Sequence, residues 1–261
     1  MEATVAWISV TPVKGLRLDH RDAVELGEHG VRGDRAFFVA GEDGVMVSAS
    51  RLGPLVAVVP RHDAEAGTLV LRFPDGEEVG GAVELGEPEP VLFYDETVRG
   101  RPVLGAFSEA LSRHCDRRLR LMAAPPGRSG LDRGRDGGAT LLSVASLDRL
   151  RREAGSADPV DARRFRMTFG VDGLEAHEED GWIGREVRIG DAAVRVLGNV
   201  GRCALTTRQP DTGVVDFKTL HHLRAYRGDV ATTEPLPFGV HARVLRPGRV
   251  QVGDPVAVAA A

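Results

Sequence analysis

The chain has 261 residues, enough for one large domain or two small ones at about 150 residues each. Hydrophobic residues make up 42% and charged residues 28%, a globular balance that excludes wholesale disorder and collagen-like structure. A formal net charge of −4 supplies no basic field for nucleic acid or an anionic membrane, and no stretch reaches the ~18 apolar residues of a spanning helix. An acid stands at Glu2 and the first lysine only at Lys14, the reverse of a secretory signal, so the expected location is the cytoplasm. The two cysteines, Cys115 and Cys203, form no CxxC pair, which excludes a disulfide scaffold, a zinc finger and a four-cysteine iron–sulfur site.

In chain order, β-branched runs predict strands over 5–13 and 22–26. Predicted strands 36–40 and 45–48 flank Gly41-Glu42-Asp43-Gly44, a hairpin signal, and 69–73 and 79–85 flank Pro74-Asp75-Gly76 in the same way. Such punctuation suggests antiparallel sheets or barrels rather than βαβ units. A boundary is expected within 86–102, around Gly86-Glu87-Pro88-Glu89-Pro90, dividing a β-rich domain 1–92 from a larger, mostly β domain 93–261 with a few helices. Residues 104–115 carry Leu104, Phe107, Ala110, Leu111 and Cys115 on one helical face. The Gly-, Pro- and Arg-rich stretch 123–138 has no periodicity and fits either a loop over a site or a disordered connection. A second helix is expected over 143–154 and a third over 217–226. Between and after them come strands 169–171, 186–189, 193–197, 240–245 and 250–252.

Cys203 follows a predicted strand and stands beside Arg202, a cationic setting that favours the thiolate, the form that ligates metal or attacks. The competing reading, a buried structural thiol, suits Cys115 on its apolar helix face. Lys14, Arg35, Arg163, Arg164 and Arg166 stand at strand ends, where they would converge on a phosphate or sulfate; singly, each reads as a solvated surface charge. The eight histidines form no HxxxH or HxH, and no GxSxG, Walker A or dinucleotide fingerprint occurs. Basic runs lack interleaved aromatics, against nucleic-acid binding.

Taken together, Thr11-Pro12-Val13-Lys14-Gly15, Gly30-Val31-Arg32-Gly33-Asp34-Arg35, Leu142 to Ser146, Arg164-Phe165-Arg166, Asp191, Arg202-Cys203-Ala204-Leu205-Thr206-Thr207 with Asp211-Thr212-Gly213, and the closing Pro247 to Pro255 resemble MOSC proteins. That family shares the C-terminal domain of molybdenum cofactor sulfurase, and the order matches its two-part members, the amidoxime-reducing components among them. The resemblance spans about residues 5 to 257. It implies a mainly β fold of two β-barrel-like domains with a molybdenum–molybdopterin cofactor bound between them.

Carried over position by position, the resemblance makes Cys203 the protein ligand to molybdenum and the catalytic residue. Lys14, Arg35 and Arg166 match positions that contact the pterin phosphate or ring, and Ser143, Ser146 and Thr206 lie in matching cofactor-binding blocks. The implied activity is reduction of small N-hydroxylated substrates (hydroxylamines, amidoximes, hydroxylaminopurines), with the cofactor carrying the redox chemistry. A separate electron-transfer protein, of flavin, ferredoxin or cytochrome type, is then required; neither nucleic acid nor membrane is an expected partner. Two other readings keep part of this picture: metal-free sulfur transfer or carbon–sulfur lysis through Cys203, and carriage of the cofactor without turnover. The chain departs from the family pattern twice, with Phe165-Arg166-Met167-Thr168 where relatives read FRPN, and with Gly137-Gly138-Ala139-Thr140 in place of an apolar, aromatic stretch.

Overall fold

The computed structural model describes residues 2–125, 127, 133–232 and 234–259. The first part is almost all strand: β1 (Thr4–Val10), β2 (Asp19–Arg21), β3 (Ala23–Gly27), β4 (Gly30–Val31), β5 (Phe37–Gly41), β6 (Val59–Asp63), β7 (Thr68–Arg72), β8 (Glu78–Ala82), β9 (Glu89–Phe93) and β10 (Glu96–Pro102). Next come α1 (Phe107–Cys115), β11 (Leu119–Ala123), β12 (Ala139–Ser143), α2 (Val144–Glu153), β13 (Phe169–Asp172) and β14 (Glu186–Ile189). The chain closes with β15 (Ala192–Gly201), α3 (Thr219–Arg227), β16 (Pro237–Arg246), β17 (Gly248–Gln251) and β18 (Val256–Val258). None of these helices is long and apolar enough to cross a membrane.

The fold is mainly β with few helices, as expected, but the barrels are not there: among the described residues the sheets are open. The largest has eight strands in the order β18-β14-β15-β16-β12-β13-β1-β2, and the others have four (β5-β11-β10-β9), three (β17-β3-β4) and three (β6-β7-β8). Closure needs a continuous ladder between the two edges. Here each edge strand, β2 and β18, is only three residues long. A single isolated bridge, Thr4 to Pro255, joins the start of β1 to the residue before β18.

The stretch 86–102, within which the domain boundary is expected, holds the β9–β10 hairpin. Pro90 is tolerated because β9 is the edge of its sheet, where no ladder donor is needed. Val91, Phe93 and Val98 supply the buried side of the hairpin. Helix α1 runs as its periodicity predicts: Phe107, Ala110, Leu111 and Cys115 are buried on one face, and Asp116 stops it in the left-handed conformation at φ 46°. Residues 126 and 128–132 of the Gly/Pro/Arg-rich stretch lie outside the described residues, so that expectation is left there; the end of the stretch is a 3₁₀ turn, Gly134–Gly137.

The two ends of the chain are interleaved. β1 lies between β13 and β2, and β3 pairs with β17. Val5, Ile8, Leu26 and Val31 therefore share a core with Phe169, Val187, Val194 and Val240. β11 in turn pairs with β5, and its Leu119 and Leu121 join Val39, Leu55, Leu69 and α1 in a second core. Residues distant in sequence are thus fixed against one another, and the candidate site lies on that seam.

Candidate functional site

A cavity of about 570 Å³ is lined by residues from both halves, including Lys14, Arg35, Arg166, Cys203 and Thr206. That is within the usual size range of a small-molecule site.

Lys14 sits just past β1, where its amide donates to the Phe37 carbonyl at 2.8 Å and the Val13–Phe37 bridge holds the strand end. Gly15 turns the chain away at φ 90°. The Lys14 ammonium lies 5.5 Å from the centre of the Tyr94 ring and 5.7 Å from that of Phe93, at the tip of the β9–β10 hairpin. Tyr94 and Asp95 also line the cavity. Neither belongs to a motif that the sequence offers.

Arg35 and Arg166 share an unusual backbone. Both are left-handed, at φ 48° and 54°, a conformation that costs a side-chain-bearing residue energy and persists where surrounding contacts enforce it. Asp34 provides those contacts for Arg35: its carboxylate accepts from the Thr11 amide at 2.7 Å and pairs with the Arg35 guanidinium. Arg35 Nη2 then donates to the Arg166 carbonyl at 3.0 Å, and Arg166 Nη2 donates back to the Leu16 carbonyl at 2.7 Å. The two arginines clasp the halves together at the cavity. Their neighbours are ion-paired as Arg35 is. Arg163 is tied to Asp161 at 2.6 Å and Asp211 at 2.8 Å, and Arg164 to Asp216 at 2.7 Å, so these two are committed to ion pairs.

Cys203 lies two residues past β15 and caps the 3₁₀ turn Ala204–Thr207, and it is exposed at the cavity. Thr206 closes that turn with its amide at 3.2 Å and hydroxyl at 3.0 Å from the Cys203 carbonyl. Beside the thiol, Arg202 donates to the carbonyls of Phe165 and Phe238 at 2.9 Å each and to Met167 Sδ at 2.9 Å. Burial, reinforced by the Arg133 charge, pulls its guanidinium down to about 9. A desolvated cation held by neutral acceptors favours an anion in the adjoining space. The rim on that side carries Glu234, whose carboxylate accepts from Gly201 at 2.7 Å and is forked by Arg133; these donors hold it below the usual range against the opposing effect of burial.

Ser143 and Ser146 do not line the cavity. Both are fully buried behind it, where the Ser143 amide and the Ser146 hydroxyl donate to Glu179 Oε1 at 3.2 and 3.5 Å, and Ser146 Oγ accepts from the His177 amide at 2.8 Å. Burial pushes the Glu179 carboxyl up to about 7 and the His177 ring down to about 3. Next to them Asp180 accepts from Asn199 of β15 at 2.7 Å and pairs with Arg227 at 2.6 Å. In sequence, Glu178-Glu179-Asp180 is an acidic run that reads as surface; nothing local marks its middle residue as buried. The two departures from the family pattern meet on one cavity wall. Gly137, Thr140, Met167 and Thr168 all line it, and Thr140 Oγ1 lies 3.1 Å from Thr168 Oγ1.

Among the described residues no three His, Cys, Asp or Glu side chains are grouped to hold a metal ion. A metal at Cys203 would therefore arrive with its own ligands. The donor set fits a molybdopterin: one soft thiol for the metal, and Lys14, Arg35 and Arg166 for an anionic phosphate.

Comparison with known proteins agrees along the chain. The MOSC domain family matches residues 132–257, and the MOSC N-terminal beta barrel domain family matches residues 2–119. Mitochondrial amidoxime reducing component 2 from Bos taurus is 29% identical over 97% of this chain and 82% of its own length, and the Homo sapiens protein of that name is 27% identical with the same coverage. Mitochondrial amidoxime-reducing component 1 from Xenopus laevis is 28% identical over 97% of this chain and 81% of its length. The chain belongs to the MOSC family, in the two-part form that joins a MOSC N-terminal domain to a MOSC domain.

Proposed function

We propose that the protein is a molybdenum-cofactor oxidoreductase that reduces N-hydroxylated compounds such as hydroxylamines, amidoximes and hydroxylaminopurines. The observation that carries this reading is the exposed Cys203 thiol in a cavity whose cations come from both halves of the chain. The names of the full-length relatives, amidoxime reducing components, support it.

The bound cofactor would supply a redox-active metal able to take oxygen from nitrogen. Cys203 would anchor the metal through its soft sulfur. Lys14 and Arg166, with Arg35 bracing the Arg166 backbone, would hold the pterin phosphate through charge-assisted hydrogen bonds. Thr206 would keep the Cys203 turn closed, while Ser143 and Ser146 would act from behind by fixing Glu179 beneath β12. The hydroxyls of Thr140 and Thr168 would orient the polar N–O group of the substrate. Replacing one N–OH by N–H consumes two electrons and two protons and releases water. The electrons would come from a separate flavin, ferredoxin or cytochrome-type protein.

Expression in a host that makes the cofactor tests the reading directly. Metal analysis should give one molybdenum per chain, and an aromatic amidoxime with an artificial reductant should yield the amidine. Cys203→Ser, which replaces a soft ligand with a poorly ionised hydroxyl, should cut turnover at least a hundredfold. Stoichiometric molybdenum without turnover would point to a carrier. Cys203-dependent sulfur transfer in metal-free protein would replace the proposal with the sulfur-chemistry reading.

A further inference from the structure

The hairpin between β9 and β10 carries a residue that its local structure does not favour. Phe93 pairs with Glu96, so Tyr94 and Asp95 alone make the turn. Tyr94 is left-handed there, at φ 58°, in a tight turn whose first central position favours glycine. Other hairpins of this chain do use glycine: Gly67, between β6 and β7, has φ 62°, and Gly76, between β7 and β8, has φ 91°. Packing does not recover the cost, because Tyr94 remains 49% exposed.

What the strained backbone does achieve is the placement of an aromatic ring at the cavity. Tyr94 lines it beside Lys14, whose ammonium lies 5.5 Å from the ring centre. Phe93 meets the ring edge-to-face with centres 5.5 Å apart, and Phe93 is itself set edge-to-face on the buried Phe38 at 5.2 Å. The ring is therefore anchored to the core. The other aromatic residue in the cavity wall, Phe165, is only 3% exposed; it stacks on Phe238 at 4.4 Å and has the Arg202 guanidinium 5.4 Å from its centre. Among the described lining residues Tyr94 is thus the one accessible aromatic side chain. Charge narrows what it can take. Lys14, Arg35, Arg133, Arg164, Arg166 and Arg202 line the cavity against Asp95 and Glu234, which disfavours a cationic guest and favours a neutral or electron-rich planar ring.

We infer that Tyr94 is a specificity residue: its ring stacks on the planar aryl or purine group of an N-hydroxylated substrate and so selects aromatic over aliphatic substrates. The inference rests on the reductase reading above for the chemistry and on the hairpin geometry for the contact. Every aryl or heteroaryl ring offers a π-face, so such a contact sorts substrates by planarity and not by one hydrogen-bond pattern.

Benzamidoxime and acetamidoxime share the reacting group and differ in the ring, so together they isolate it. Both are titrated calorimetrically, without reductant, against the full chain purified from a host that makes the cofactor, and both are then turned over with an artificial reductant. Tyr94→Leu should weaken benzamidoxime binding and raise its KM about three- to tenfold with little change in kcat, the pattern of a lost ground-state contact. Acetamidoxime values should move much less, and bound molybdenum and pterin should stay constant. Tyr94→Phe, which keeps the ring, should keep the preference. Tyr94→Asn, whose residue type tolerates the left-handed turn, should show the same selective loss and serves if the leucine variant folds poorly. No benzamidoxime binding by the wild type, equal losses on the two amidoximes, no loss in either ringless variant, or loss of molybdenum or pterin in place of benzamidoxime affinity would each overturn the assignment. A wild-type chain that turns over neither amidoxime would overturn the reductase reading, and the calorimetric comparison would still decide for or against the ring.

Discussion

Arg166 shows how one residue can serve both backbone and ligand. Its left-handed φ of 54° turns the chain out of the 3₁₀ turn Ala162–Phe165, and its side chain reaches the cavity while bracing Leu16 across the seam. Arg166→Ala and Arg166→Lys keep the same backbone strain, so comparing them isolates the guanidinium. The alanine variant should lose most bound cofactor, and the lysine variant should recover it only partly because the planar fork is gone; pterin released per chain is the measurement. The other cysteine supplies a control. Cys115 is buried on α1, and burial pushes its thiol up to about 11. Cys115→Ser should cost about 1–3 kcal/mol in denaturant unfolding, as for a buried hydroxyl without a good partner, and leave the metal content per folded chain unchanged.

At the scale of elements, the loop after Cys203 is held from outside its own sheet. Arg208 crosses to the Ser50 carbonyl at 3.0 Å, and Gly213, at φ 75°, presses its backbone on Gly53 at the start of the 3₁₀ turn Gly53–Ala57. A Cβ at Gly53 would lie 2.6 Å from the Gly213 carbonyl oxygen and closer still to the Arg208 guanidinium. Gly53→Ala should therefore destabilise the fold by about 1–3 kcal/mol. It should also lower cofactor retention, since the displaced loop carries Cys203; a variant of wild-type stability and metal content would show that the loop does not depend on this contact. On the opposite wall, Met167 and Thr168 replace the family's Pro-Asn beside Thr140. Thr168→Asn should change the relative kcat/KM of two N-hydroxylated substrates by about tenfold or less while leaving bound molybdenum constant, because Thr168 hydrogen-bonds Thr140 and the Ser9 amide.

Across the whole molecule, the buried pair behind the cavity gives stability a pH signature with two opposed parts. Glu179 binds its proton more tightly folded than unfolded, with its carboxyl near 7 instead of 4.5, so its contribution is full below 4.5 and is lost as pH rises to 7. His177, lowered to about 3 from 6.5, does the reverse: its contribution is full above 6.5 and is lost as pH falls toward 3. The two slopes oppose each other between 4.5 and 6.5, leaving an acid loss below and a shallow decline above. Glu179→Gln removes only the first part. Whatever its absolute cost, it should gain on the wild type by an amount on the order of 1–3 kcal/mol between pH 4.5 and 7.5; a difference in unfolding free energy that stays flat with pH would mean the carboxyl titrates normally. Much of this protein was legible from residues alone. The 3.6-residue period of 104–115, the Asp-Gly hairpin turns, and Cys203 set beside a cation depend on local chemistry, and local chemistry is written in order along a chain. The rest depended on pairing between distant segments. The eight-stranded sheet takes in β1 beside β13 and ends in edge strands too short to close a barrel, which no single segment announces. Lys14, Arg35, Arg166 and Thr206 could be named from sequence, but only the interleaving of the two ends brings them to one cavity with Cys203. The same packing turned Ser143 and Ser146 away from it, because their hydroxyls donate to acceptors some thirty residues along the chain, Ser143 to the Glu175 carbonyl and Ser146 to the buried Glu179 carboxylate, and these decide where the side chains point.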